Sequence, residues 1–128
     1  MEADISGTQR KVVASSVSPA SQAHGAQGIA VRDSKTLPFV VTRSWSAPEG
    51  TYRETFYLID PKSREVLFEG PVREELVWGL QSLTEFTDTV TDPIALEPGS
   101  YAIVFSLGRG SGGEFPVEVV EVSEESAA

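Results

Sequence analysis

Between residues 38 and 122 the sequence breaks every eight to twelve residues at a cluster of turn-forming residues, and this rhythm restricts the fold more than any other feature. Between the breaks lie short runs rich in β-branched and aromatic residues: PFVVTRSW (38–45), TYRETFYLID (51–60), REVLFEG (64–70), VREELVWGL (72–80), LTEFTDTVT (83–91), YAIVFSLG (101–108) and EFPVEVVEV (114–122). The breaks themselves are SAPEG (46–50), PKS (61–63) and EPGS (97–100), all strong turn sequences. About seven strands at this spacing predict an all-β, antiparallel sandwich or barrel.

Alternation supports strands over helices. Tyr101, Ile103, Phe105 and Leu107 fall on one face, with Ala102, Val104 and Ser106 on the other. Phe115, Val117 and Val119 oppose Pro116 and Glu118, and Pro116, lacking an N–H, favours an edge or a bulge. Both parities of residues 54–59 are largely apolar, as for a strand covered on both sides. The segment 72–80 is ambiguous: Val72, Leu76 and Leu80 have helical spacing, whereas Val77 and Trp78 favour a strand and Gly79 weakens a helix, and a strand is the reading adopted.

The glycine cluster GRGSGG (108–113) follows a strand, as phosphate-binding loops do. No lysine follows it, and the next segment is β-branched and contains Pro116, so no helix N-terminus is available to receive a phosphate. A hairpin turn is predicted instead, with Arg109 at its tip.

Residues 1–36 differ in texture. ASSVSPASQAHGAQG (14–28) is small, polar and without sustained period, and reads as a flexible arm. Two short apolar patches, Val12-Val13 and Ile29-Ala30-Val31, are alternative places for a first strand. Charge divides in the same way. Residues 1–38 carry four bases and three acids, and residues 39–128 six bases and sixteen acids, within a net charge of −9. An acidic body repels phosphate backbones, so nucleic acid is not an expected partner. The arm segment QRKVV (9–13) is expected to add a strand to a partner's sheet edge or to another copy. The division predicted is an arm over 1–36, a sandwich over 37–123 and a frayed tail over 124–128.

EPGSY (97–101) resembles the tyrosine corner of immunoglobulin-like sandwiches, in which a tyrosine hydroxyl bonds backbone slightly upstream. With VVTRSW (40–45) and LIDP (58–61), it makes residues 38–122 resemble small uncharacterised bacterial proteins of immunoglobulin-like fold. That resemblance implies an immunoglobulin-like β-sandwich and carries over no activity or catalytic residue.

Chemistry is sparse. With no cysteine, disulfides, thiolate metal sites and cysteine nucleophiles are excluded. The single histidine, His24, lies in the polar arm, so no general base is held by the fold, and no enzyme, catalytic residue or cofactor is expected. Calcium would draw on Asp60, Asp88 and Asp92, but Asp60 and Asp92 each precede a proline and read as turn residues. Function is therefore expected to lie in a surface. Trp45, Tyr57, Trp78 and Arg109 are the candidate interaction residues.

The expected role is a non-enzymatic β-sandwich acting through a protein partner or self-association, as an assembly or accessory module in a bacterial or phage setting. The alternative is a calcium- or carbohydrate-binding domain, with Trp45 and Tyr57 as a sugar platform. The acidic start MEADISGTQRK has no apolar segment behind it, and no stretch approaches the ~18 apolar residues of a membrane span, so a cytoplasmic protein is expected.

Overall fold

The strict alternation of FVVTRSWS and TEFTDTV is realised as two strands that each bury every second side chain. In the computed structural model, which describes residues 10–21 and 27–122, these two belong to a set of ten strands. In chain order they are β1 (Lys11–Pro19), β2 (Ile29–Arg32), β3 (Lys35–Thr36), β4 (Phe39–Ser46), β5 (Gly50–Ile59), β6 (Val66–Glu69), β7 (Arg73–Val77), β8 (Thr84–Val90), β9 (Gly99–Leu107) and β10 (Gly110–Glu121).

They form two sheets. The smaller has the order β1-β4-β8. The larger runs β3-β2-β10-β9-β5-β6, with β7 also on β5. On the side of β5 away from β9, β6 pairs with Tyr57–Ile59 and β7 with Gly50–Glu54, so one edge of the larger sheet is made in two pieces. The protein is all-β and mostly antiparallel, and the described residues contain no helix, hence none long and apolar enough to cross a membrane.

One core joins the sheets. Phe39, Val41, Trp45, Phe86 and Val90 from the smaller sheet meet Phe56, Leu58, Ile103, Phe105, Leu107, Val117 and Val119 from the larger. The rings of Phe56 and Phe105 lie 6.3 Å apart, and those of Phe105 and Phe115 5.8 Å apart, both tilted as aromatic quadrupoles prefer. As the double apolar parity of β5 predicts, Thr55 and Ile59 are buried on its outer face as well.

The glycine cluster forms a hairpin. Leu107 pairs with Gly110 across a two-residue turn, and Gly108 takes a φ of 61°, open to glycine at little cost. The remaining glycines have a second use. Gly112 sits in a bulge between Ser111 and Gly113, where a Cβ would lie 2.2 Å from Cη2 of buried Trp45. The cluster makes room for a tryptophan.

The N-terminal expectation needs correction. Lys11–Pro19 is not part of a flexible arm: it is a nine-residue strand paired along β4 from Lys11↔Ser46 to Pro19↔Phe39, burying Val12 and Val17. Ile29–Arg32 is also sheet, running parallel to β10 through Val119↔Ile29, so both candidate first strands are used. The apolar pairs at 12–13 and 29–31 outweigh their polar surroundings because each meets a partner distant in sequence. Among the described residues there are ten strands, seven of them (β4 to β10) within the 38–122 stretch read as about seven and three upstream of it, and the β2–β10 pair departs from a wholly antiparallel arrangement. His24, the first nine residues and the tail at 124–128 lie outside the described residues.

Candidate protein-interaction edge

The four aromatic and basic candidates do not form one site. Trp45 has no exposed ring face: it is fully buried on β4, and its Nε1 donates to Glu54 Oε2 at 3.0 Å. A contact role for Trp45, and its pairing with Tyr57 as a sugar platform, are thereby corrected. Its position in the apolar parity of FVVTRSWS carries it inward, whatever the turn beside it. Tyr57 is half-buried on the outer face of β5, between Glu69 of β6 and Val104 of β9. Arg109 is exposed at the β9–β10 turn.

Trp78 is different. It follows β7 directly and is 63% exposed, the most exposed large apolar residue among those described. Leu76, Leu80, Leu83 and Val72, all 43–56% exposed, lie within the same stretch of chain. Along β7, Arg73, Glu75 and Val77 turn inward, which leaves Val72, Glu74, Leu76 and Trp78 on the opposite, outward parity. An open groove of about 430 Å³ is lined by Trp78, Gly79, Leu80 and Gln81, with Pro48 and Glu49 from the β4–β5 turn. Scattered surface leucines are ordinary, but an exposed tryptophan with several of them in one stretch of chain makes this the candidate contact surface.

A buried ionic network holds this edge in place. Arg43 on β4 is fully buried, and its Nε donates to Glu54 Oε2 at 2.7 Å while its Nη2 pairs with Glu54 Oε1. Its Nη1 lies 2.8 Å from Asp88 Oδ2 on β8, close enough for an ion pair although off the hydrogen-bond direction. Arg73 of β7 pairs with the other Asp88 oxygen, Oδ1. The rings of Phe56, Phe86 and Phe105 surround the Arg43 guanidinium at 5.3–5.9 Å. The charges thus tie β4 and β8 of one sheet to β5 and β7 of the other. At the far end of β7, the Trp78 amide donates to Thr84 Oγ1 on β8 at 3.1 Å.

Sequence reasoning missed the network, though a signal was present. Arg43, Glu54 and Asp88 each occupy the buried parity of their strand, beside Val41 and Trp45, Phe56 and Leu58, and Phe86 and Val90. A charge at such a position must find an opposite charge or leave the core. The Arg43–Asp88 pair joins the neighbouring strands β4 and β8, whereas Arg43–Glu54 and Arg73–Asp88 cross between the sheets. The calcium carboxylates are likewise separated: Asp88 is held by two arginines, and Asp60 Oδ1 accepts the amides of Lys62 and Ser63 in its own turn. Among the described residues no three His, Cys, Asp or Glu side chains group as metal ligands.

No protein-family model and no curated protein matches the chain. Among solved structures, it is similar to the Pseudomonas fluorescens alkylpurine DNA glycosylase AlkC bound to DNA containing an abasic site analog. That similarity is at 10% identity and a TM-score of 0.50, covering 91% of this chain and 33% of that one. It is also similar to a β-glucosidase from Listeria innocua, at 15% identity and a TM-score of 0.45, covering 84% of this chain and 16% of that one. The likeness to AlkC is one of fold, and this chain spans a third or less of either protein.

Proposed function

We propose that this chain is a non-enzymatic, immunoglobulin-like β-sandwich that works through protein contacts, made at the edge where β7 passes into β8. The observation that carries the proposal is that Leu76, Trp78, Leu80 and Leu83, all exposed, fall in one short stretch of chain, with Trp78 and Leu80 lining a groove that Glu49 also lines. Tryptophan is the residue most enriched among those that dominate binding energy. The ionic network fixes this edge before any partner arrives, which lowers the ordering cost of binding.

Support for the immunoglobulin-like reading comes from strand order. The pairings β1-β4-β8 and β10-β9-β5 match the A-B-E and G-F-C neighbours of such sandwiches when β1, β4, β5, β8, β9 and β10 are taken as A, B, C, E, F and G. The Tyr101 hydroxyl donates to the Glu97 carbonyl at 2.8 Å, the bond of a tyrosine corner, although the ring is only half-buried. The resemblance to small bacterial proteins of this fold, and a cytoplasmic setting, belong to the same proposal.

The test compares proteins retained from source-cell lysate by immobilised wild type and by a Trp78→Ala, Leu80→Ser double variant. Both altered residues are exposed, so folding is expected to persist, and circular dichroism checks it. The proposal expects a defined partner that the variant loses. Equal retention by a folded variant would place the contact elsewhere and refute it.

A further inference from the structure

The free side of β7 is an unpaired sheet edge, and its chemistry narrows what binds there. Resting on the interaction reading above, we infer that this edge receives an extended segment of a partner protein carrying alternating basic and apolar side chains.

The backbone comes first. The Arg53 carbonyl of β5 accepts the Gly108 amide on the β9 side, so the neighbouring parity of β5, Tyr52 and Glu54, faces β7. Those residues are in register with Glu75 and Arg73, which therefore bond to β5. The amides and carbonyls of Glu74 and Leu76 consequently point away from β5. The Trp78 amide agrees, being turned to Thr84 rather than to β5. Among the described residues no strand pairs with this side of β7. Unpaired strand groups of this kind are a template for another strand.

Side chains then select the occupant. An added strand places every second residue on the outward face, beside Glu74 and Leu76, at cross-strand distance. An apolar side chain there extends the Leu76–Trp78 surface. A basic one meets Glu74, or enters the groove where Glu49 stands against Trp78, whose ring face also attracts cations. Of the nearby arginines, Arg53 is in register opposite Glu74, and Arg73 is turned inward to Asp88. A second copy fits poorly. Antiparallel pairing of two β7 strands centred on Glu75 sets the two Glu75 side chains opposite each other, and any register, including one that sets Leu76 opposite Leu76, brings together two molecules of net charge −9.

The probe is a fluorescein-labelled peptide of repeating Thr-Lys-Thr-Val, compared with Thr-Glu-Thr-Val and Thr-Lys-Thr-Ser by anisotropy against the full chain. The lysine–valine peptide is expected to bind at least about tenfold more tightly than either control, with affinity falling as salt rises. Leu76→Pro removes one free edge amide without removing a bond to β5, and is expected to cost about tenfold or more. Glu49→Lys with Glu74→Lys tests the charge without altering the backbone, and should shift preference to the glutamate peptide.

Equal affinity for the lysine and glutamate peptides, or no response to Leu76→Pro, would overturn the inference. So would a dimer of wild type on a sizing column that Leu76→Pro abolishes, since the occupant would then be a second copy. If the peptides fail to bind while Trp78→Ala with Leu80→Ser still loses the native partner, strand addition by a basic segment is wrong and the interaction reading stands. If that variant also loses nothing, both fall.

Discussion

Arg43 occupies a position that the alternation of its strand reserves for an apolar side chain, and it is tolerated there because Glu54 and Asp88 converge on it from two other strands. A pair buried in this way contributes little over a well-packed apolar substitute, but losing Arg43 leaves Glu54 buried and charged with no cation opposite it. Arg43→Leu is therefore expected to destabilise the fold by about 3–5 kcal/mol, read from the shift in urea unfolding. Adding Glu54→Leu should recover part of the loss, because Glu54 would otherwise keep only the Trp45 indole as a partner. A loss under about 1 kcal/mol for Arg43→Leu alone would mean that water reaches the network. At this scale the sequence was partly legible. The inward faces of β9 and β10 follow directly from alternation. Trp45, named as a contact candidate, is carried inward by its parity into the room left by Gly112.

Among the elements, β1 carries the largest difference between expectation and structure. Its sequence, KVVASSVSP, is polar enough to read as an arm, and only Val12 and Val17 reveal a core face. Small residues suffice because β4 supplies the pairing, and that long-range partner is invisible in a local window. Burying the two valines stabilises the fold by roughly 1.5–3 kcal/mol each. Deleting residues 1–21 removes these along with the β1–β4 ladder, so thermal unfolding is expected to move markedly lower or lose cooperativity. An unchanged melting curve would restore the picture of a dispensable arm. The C-terminal hairpin was legible from its glycines alone, because its partners are adjacent in the chain. The parallel β2–β10 contact was not, since it joins residues some ninety positions apart through Val119↔Ile29.

The whole molecule is asymmetric. The body is acidic, its core is shared by two sheets, and its exposed apolar side chains are concentrated on residues 72–83, on an edge pinned by Arg73–Asp88 and Trp78–Thr84. Composition indicated the acidity. The apolar edge was hidden because Val72, Leu76 and Leu80 have the same spacing as the buried face of a helix, and only the pairing of β7 with β5 turns them outward. The most direct measurement is amide hydrogen exchange, read by mass spectrometry with and without the protein that the wild-type chain retains. The account predicts new protection concentrated in residues 72–83, strongest at Glu74 and Leu76, with little change at the β9–β10 turn. Protection centred on Arg109 and that turn, with 72–83 unaffected, would contradict it.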